Sequence, residues 1–293
     1  MTNRSGMVLV FLAGVLWSTV GLGIRMIQEA EVWQIMLYRS ISLSTFLFFV
    51  ILFRSGQNPF AAARRNGFAG AIGALGLVSA YTGAIYSIQN TSVANAMLLF
   101  AVAPFVTAIL GWIVLGERVR RATWIAIVFG VAGIVIMVSD KSGTGTMGGN
   151  LAALFSAVGF AVFTVALRWG KSSDMLPAVF LSGLFAVAIT LSVCAATGLP
   201  LILTPNDGGV ALAMGVGQVG LGLLLYTIGS KTVPAVELTL LSMAEVVLGP
   251  VWVWLFLGEA VSVNTMIGGV ILLAAILGNA VSGMRRKPPP QMP

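Results

Sequence analysis

Residues Asn95–Glu117, NAMLLFAVAPFVTAILGWIVLGE, decide how the chain is to be read. The stretch is apolar for long enough to cross a bilayer, which takes about 20 residues of helix. It carries a proline near its middle and closes on Leu115-Gly116-Glu117. The same plan returns at Glu237–Glu259, ELTLLSMAEVVLGPVWVWLFLGE, offset by 142 residues, and Trp112 then falls on Trp254. Nearer the start of each half, Trp17 falls on Phe160 and Arg25 on Arg168, offset by 143. Two matches in register to one residue point to a duplicated unit, and a repeat sets the architecture before any finer reading.

Composition says which solvent surrounds the chain. Residues AVILMFWYC make up 58% of it, charged residues 9%, and the mean hydropathy is +1.00. A water-soluble domain of 293 residues cannot cover so much apolar surface with polar groups. Ten spans can be drawn, at 7–27, 32–53, 67–88, 91–115, 122–139, 149–168, 176–197, 209–229, 233–257 and 263–284. The opening Met1–Arg4 and its apolar run resemble a signal peptide, but no small-residue cleavage pattern closes the run. It is read as an uncleaved first helix.

A net charge of +7 would fit nucleic-acid binding if the basic residues were clustered on one face. With the N-terminus placed in the cytoplasm, every one of the 16 Lys and Arg falls on an inside segment except Arg25, Arg39 and Lys141. Such asymmetry is the positive-inside pattern of a membrane protein, so no nucleic acid is needed to explain the charge. The single cysteine, Cys194, excludes an intrachain disulfide, and the absence of histidine removes the commonest metal ligand.

Ser139–Asn150, SDKSGTGTMGGN, is flexible by composition and divides the spans five and five. The expected organisation is a first five-helix repeat over 1–141, a linker over 142–148, a second repeat over 149–284 and a cytoplasmic tail over 285–293. Five is odd, so the second repeat enters the membrane in the opposite sense. Inverted repeats of this kind build many secondary transporters, with the cargo site between the halves near the midplane. A duplicated scaffold without transport is the bland alternative. Gly215-Val216-Gly217-Gln218-Val219-Gly220 spells a dinucleotide fingerprint, but inside an apolar span with no strand before it; the 35 glycines fit close helix packing instead. Gly170-Lys171-Ser172 ends like a phosphate-binding loop, yet Val165 stands where the required glycine would be. No ATP site follows.

The candidate working residues are those costly or unusual in lipid. Pro104 and Pro250 free the carbonyls of Phe100 and Val246 and are candidate hinges; each is equally a static kink. Arg39, Glu237 and Glu245 are intramembrane charges, each of which carries an insertion cost of about 2.5–3.5 kcal/mol. For Arg39 an internal ion pair or carbonyl contact is the favoured reading. Glu245 is expected to meet the ammonium of a cargo or a coupling proton, and Glu237, a turn nearer water, can snorkel. Trp17, Tyr38, Tyr81, Phe100, Phe160 and Tyr226 supply aromatic surface. Trp17 and Phe160 would form a two-sided clamp on a planar ligand, or simply pack. Asn95, like Glu245, could meet the polar end of the cargo. Trp33, Trp112, Trp124 and Trp169 read as interface anchors. Glu117 and Glu259 are expected to stabilise the positive end of the helix that follows each.

Ala103-Pro104-Phe105, Leu115-Gly116-Glu117-Arg118, the later Leu257-Gly258-Glu259 and Trp17 together resemble the EamA-type drug/metabolite transporter (DMT) superfamily over essentially the whole chain. Within it, the chain looks most like the YddG-type exporters of aromatic amino acids, which also act on cationic dyes. The resemblance implies an all-α membrane protein of ten transmembrane helices in two inverted five-helix repeats around a central cavity formed mainly by spans 1, 3, 4, 6, 8 and 9. One departure is Glu245-Val246, where the second half usually has Glu-Pro. The expectation is therefore an inner-membrane exporter of amino acids or related metabolites, working by alternating access, with both termini cytoplasmic. Its partners would be a small-molecule cargo and the lipid, with no cofactor or metal, and it would act as a monomer. A passive channel is the alternative. A membrane enzyme is disfavoured because no Ser–His, metal-ligand or nucleotide constellation occurs.

Overall fold

The computed structural model describes residues 3–117, 119–139, 145–169, 176–230 and 235–284. Readings placed on Arg118, Asp140, Lys141, Gly170-Lys171-Ser172, Lys231, the tail 285–293 and the side chains of Arg168 and Glu237 lie outside the described residues. The described elements are all helical. The first span divides into α1 (Asn3–Ser18) and α2 (Val20–Arg25), and the second is α3 (Val32–Ser55). A short helix that the sequence reading lacks, α4 (Pro59–Arg65), leads into α5 (Gly67–Asn90). The fourth span divides into α6 (Val93–Phe100) and α7 (Ala103–Leu115), and α8 (Arg121–Val138) follows. Then come α9 (Met147–Trp169), which begins inside the expected linker, and α10 (Leu176–Thr197). The eighth span runs from α11 (Pro205–Ala213) through a π-helical segment, Met214–Gly220, into α12 (Leu221–Ser230). The chain closes with α13 (Ala235–Leu257) and α14 (Val263–Met284). Among the described residues nine helical stretches are long and apolar enough to cross a membrane, and Ala244–Leu257 is a shorter apolar one.

Local chemistry sets the ends of these helices. Gly56, Gly116 and Gly258 stop α3, α7 and α13 in the left-handed conformation, with φ of 64°, 68° and 68°, where a residue with a Cβ is strained. Asn58 caps α4 by accepting from the Phe60 amide at 2.9 Å, with Pro59 in the first turn, where its missing N–H is harmless. Ser92 and Thr204 cap α6 and α11 by accepting from the amides of Asn95 and Asp207.

Helices α5 and α9 lie along one another, as do α8 with α14 and α3 with α10. Helix α9 also takes α6 and α7, and α1 takes α12 and α13. Glycine makes the closest approaches possible. A Cβ on Gly83 would stand 2.6 Å from the Ala152 carbonyl oxygen of α9, and one on Gly159 would stand 2.6 Å from the Gly76 oxygen of α5. The α8–α14 contact is built alike, with Gly133 against the Gly268 oxygen. Of the glycines in the fingerprint-like run, Gly215 abuts the Arg39 backbone and Gly220 abuts Phe46, so two of the three serve packing; Gly217 faces open space.

Carboxylates tie the connections at one end of the bundle. Asp207, buried at the start of α11, accepts from the backbone amides of Gln28, Glu29 and Ala30 at 3.1, 2.9 and 3.0 Å. Glu259 does not serve the helix that follows it, α14, whose first turn is capped by Ser262. It reaches back instead to α6, accepting from the Val93 amide at 2.7 Å, and pairs with Arg25 Nε at 3.0 Å. Arg25 Nη2 also donates to the Thr91 carbonyl at 2.8 Å. A helix N-terminus and a guanidinium together hold this one carboxylate.

The glycine contacts can be tested directly. Gly83→Ala drives a methyl into the α9 backbone and is expected to lower the melting temperature of the purified protein, the usual cost of overpacking being about 1–3 kcal/mol. Gly217→Ala adds a methyl where nothing stands within 4 Å and should leave the melting temperature unchanged. A thermal-shift comparison in detergent that found equal losses would contradict the packing.

Candidate functional site

Among the described residues, the interruptions in the spanning helices gather at a cavity of about 210 Å³. Spans 1, 3, 4, 6, 8 and 9 all contribute to its wall, and span 2 adds Arg39. Trp17 and Val20 flank the interruption at Thr19, between α1 and α2. Phe100, Ala103 and Pro104 flank the turn at Ala101–Val102. Gln218 and Val219 belong to the π segment, a form of helix that recurs at functional sites. Glu245 and Val246 lie one turn before Pro250, which has no N–H to give to the Val246 carbonyl. Exposed backbone groups are tolerated at membrane depth only where protein buries them or a cavity wets them, so these interruptions and the cavity belong together.

Pro104 does not bend a continuous helix. The interruption comes two residues earlier, and Pro104 sits in the first turn of α7, where no donor is missed. The Ala101 and Val102 amides turn back on Leu98 and Leu99 at 3.2 Å each, a tightened last turn of α6. Pro250 does lie inside a helix, yet it is Val246, the residue it leaves unserved, that reaches the cavity.

The ring positions resolve one by one. Trp17 lies against α12, in a seat left open by Gly222, with its ring centroid 5.4 Å from that of Tyr226. Tyr81, Phe100, Phe160 and Tyr226 line the same cavity, so both members of the Trp17–Phe160 pair face it. The nearest ring partner of Phe160 is Phe163, at 6.0 Å. Tyr38 does not line the cavity. Its hydroxyl donates to the Leu201 carbonyl at 3.0 Å and accepts from Leu203, which fastens α3 to the segment before α11.

Asn95 is also elsewhere. It is buried in a polar knot where its side-chain amide donates to Asn150 Oδ1 and to Thr91 Oγ1, and its Oδ1 accepts from Thr265. The knot joins α6, α9 and α14, so this amide is consumed in holding helices together. Gln218 is the polar group the sequence reading passed over. It donates to the Trp17 carbonyl at 3.3 Å, across the α1 interruption, while its Oε1 has no partner. A buried amide within an apolar span was the available signal, masked by the glycines on either side of it.

Two charges line the cavity, Arg39 and Glu245. Arg39 is 3% exposed and its guanidinium carbon lies 4.7 Å from the centroid of the Tyr81 ring, a cation–π contact worth about 2 kcal/mol when desolvated. The expected internal ion pair is not made: among the described residues the ion pair is Arg25–Glu259, and Arg39 Nη2 has no hydrogen-bond partner. The arrangement is an apolar, ring-lined chamber bearing one guanidinium and one carboxyl group.

The model of the EamA-like transporter family matches residues 4–139 and 147–281. The pseudopaline exporter CntI of Pseudomonas aeruginosa is 26% identical over 290 residues, spanning 94% of this chain and 95% of that protein. The uncharacterized transporter YwfM of Bacillus subtilis is 28% identical over 205 residues, 69% of this chain and 68% of its own. Solute carrier family 35 member G1 of Homo sapiens is 26% identical over 218 residues, 67% of this chain and 57% of that protein. A solved crystal structure 20% identical in sequence superposes with a TM-score of 0.65 over 96% of this chain and 98% of that one, which shows a shared fold.

If Asn95 holds helices rather than cargo, Asn95→Ala should leave Asn150 and Thr265 without their shared partner and lower the melting temperature, an orphaned buried group costing about 1–3 kcal/mol. Ligand affinity of the folded fraction, measured by titration calorimetry, is expected to stay at the wild-type value. A fall in affinity without loss of stability would return Asn95 to the binding site.

Proposed function

This chain belongs to the EamA-like transporter family, and we propose that it is a secondary exporter of aromatic amino acids or related planar metabolites, working by alternating access across the inner membrane. The observation that carries the reading is a cavity lined from both matched stretches, walled by Trp17, Tyr81, Phe100, Phe160 and Tyr226 and bearing Glu245. Flat rings lend themselves to a flat cargo, and a carboxylate in an apolar chamber suits an ammonium. Similarity along nearly its whole length to a protein named as an exporter supports the direction of transport.

The halves are read as inverted repeats. The two stretches matched by one family model are of nearly equal length. The helix contacts also exchange between the halves: α5 on α9 corresponds to α12 on α1, and α7 on α9 to α13 on α1. Helix pairs α3–α10 and α8–α14 each join a helix to its own counterpart. On this reading the Arg25–Glu259–Val93 tie lies at the outer end, and the basic inside segments put both termini in the cytoplasm. Rocking of one half against the other would open the cavity to each side in turn, with the helix interruptions at its wall taking up the motion.

Two measurements test this. In proteoliposomes, labelled phenylalanine or tryptophan should exchange with unlabelled substrate and saturate, whereas a non-saturating leak indicates a passive pore. Trp17→Ala is expected to reduce that exchange at least tenfold per molecule while leaving the amount of protein in the membrane unchanged, since stacking on a ring contributes about 1–3 kcal/mol; equal exchange per molecule rejects the ring's role. Separately, single cysteines introduced in place of Arg64 and Lys141, in a Cys194→Ser background, should react with an impermeant reagent from opposite sides of the membrane. Labelling from one side only would overturn the inverted arrangement.

A further inference from the structure

We infer that Arg39 is the carboxylate-binding residue of the cavity, so that the cargo must carry an anionic group, as an amino acid does, and a planar cation without one is rejected. The inference rests on the transport reading above and narrows it, because that reading alone accommodates amino acids and cationic dyes equally.

An arginine this deep needs a reason. Its guanidinium is nine-tenths buried and more, stands at the wall of the cavity, and faces no carboxylate within ion-pair distance among the described residues. Its guanidinium carbon lies 4.7 Å from the centroid of the Tyr81 ring. The N–H donors of a guanidinium lie along its planar edge. Nη2 on that edge has no partner. The planar fork of donors matches a carboxylate in two-point geometry, which an ammonium point charge cannot do. The protein thus supplies the cation and leaves the counter-ion to the cargo.

The surroundings hold that edge in place. Gly215 of the π segment lies so close to the Arg39 backbone that a Cβ there would collide with it, which fixes α3 against the eighth span. Glu245, on α13, is the other charge on the wall. A guanidinium and a carboxyl group in one apolar chamber match the two ends of an amino acid: carboxylate to Arg39, ammonium to Glu245, and side chain among the rings. A cationic cargo lacking a carboxylate would satisfy Glu245 and meet Arg39 with like charge.

The test uses full-length protein in lipid nanodiscs and matched pairs of ligands differing only at the carboxyl group, L-phenylalanine with L-phenylalaninamide and L-leucine with L-leucinamide. By titration calorimetry the wild type should prefer the acid by on the order of 30-fold, as expected when one partner of a desolvated charge pair is removed. Arg39→Gln should bring the affinity for the acid down to that for the amide. Arg39→Lys, which keeps the charge but loses the fork, should retain part of the preference. The inference is overturned if wild-type protein binds acid and amide alike, if Arg39→Gln weakens both by the same factor, or if no carboxylate binds. Should Arg39→Gln fail to fold, the wild-type pairs and Arg39→Lys decide. A preference confined to the leucine pair would remove the aromatic reading and leave Arg39 in its role; aromatic binding indifferent to the carboxyl group would do the reverse.

Discussion

The interior of a bilayer offers no hydrogen-bond partner, and nearly everything in this structure follows from that. Backbone polar groups must be satisfied within the chain, so the described elements are all helical. Lipid tails are as apolar as leucine, so helices gain little from burying leucine against one another; they associate by packing closely. Glycines at the α5–α9 and α8–α14 contacts let one backbone rest on another, with the Gly76–Gly159 and Gly133–Gly268 approaches too tight for any side chain. These contacts join the first half of the chain to the second, so the glycines hold the two halves together as well as pairing helices.

The same constraint separates the polar side chains into two groups. One group is fully used. Asp207 takes three backbone amides, Glu259 takes Arg25 and the start of α6, and Asn95 binds Thr91, Asn150 and Thr265. Such groups hold helix ends and connections and have nothing left to offer a ligand. The other group is left incomplete: of its buried atoms without partners, Nη2 of Arg39 and Oε1 of Gln218 belong to residues at the cavity, while the hydroxyls of Ser40, Ser44 and Ser87 lie elsewhere. An unmet buried polar group is expensive, and its persistence at a cavity wall marks a place where something else supplies the bond.

Backbone irregularity follows the same division. The interruptions at Thr19 and Ala101–Val102, the π segment and the proline of α13 would each expose carbonyls or amides to lipid if placed on the outside of the bundle. All are drawn instead to the cavity, where they also place the residues that line it.

Much of this was legible in the sequence. An apolar run long enough to span, closed by Leu-Gly-Glu, gives a helix and its end, because hydropathy and the left-handed glycine stop are local properties. Trp17, Tyr81, Phe100, Phe160, Tyr226 and Glu245, all at the cavity wall, stand out because aromatic and charged groups inside apolar spans are conspicuous in one dimension. Tyr38 and Asn95 stand out in the same way yet lie away from that cavity: sequence shows that a polar group is buried but not which neighbour satisfies it, and their partners, Leu201 and Asn150, lie 163 and 55 residues away. The position of the break before Pro104, the π segment, and the pairing of Glu259 with α6 rather than α14 were likewise decided only in three dimensions. Hydropathy is a property each residue carries alone; satisfaction of a polar group is a property of a pair, and the pairs here are made by helices far apart along the chain.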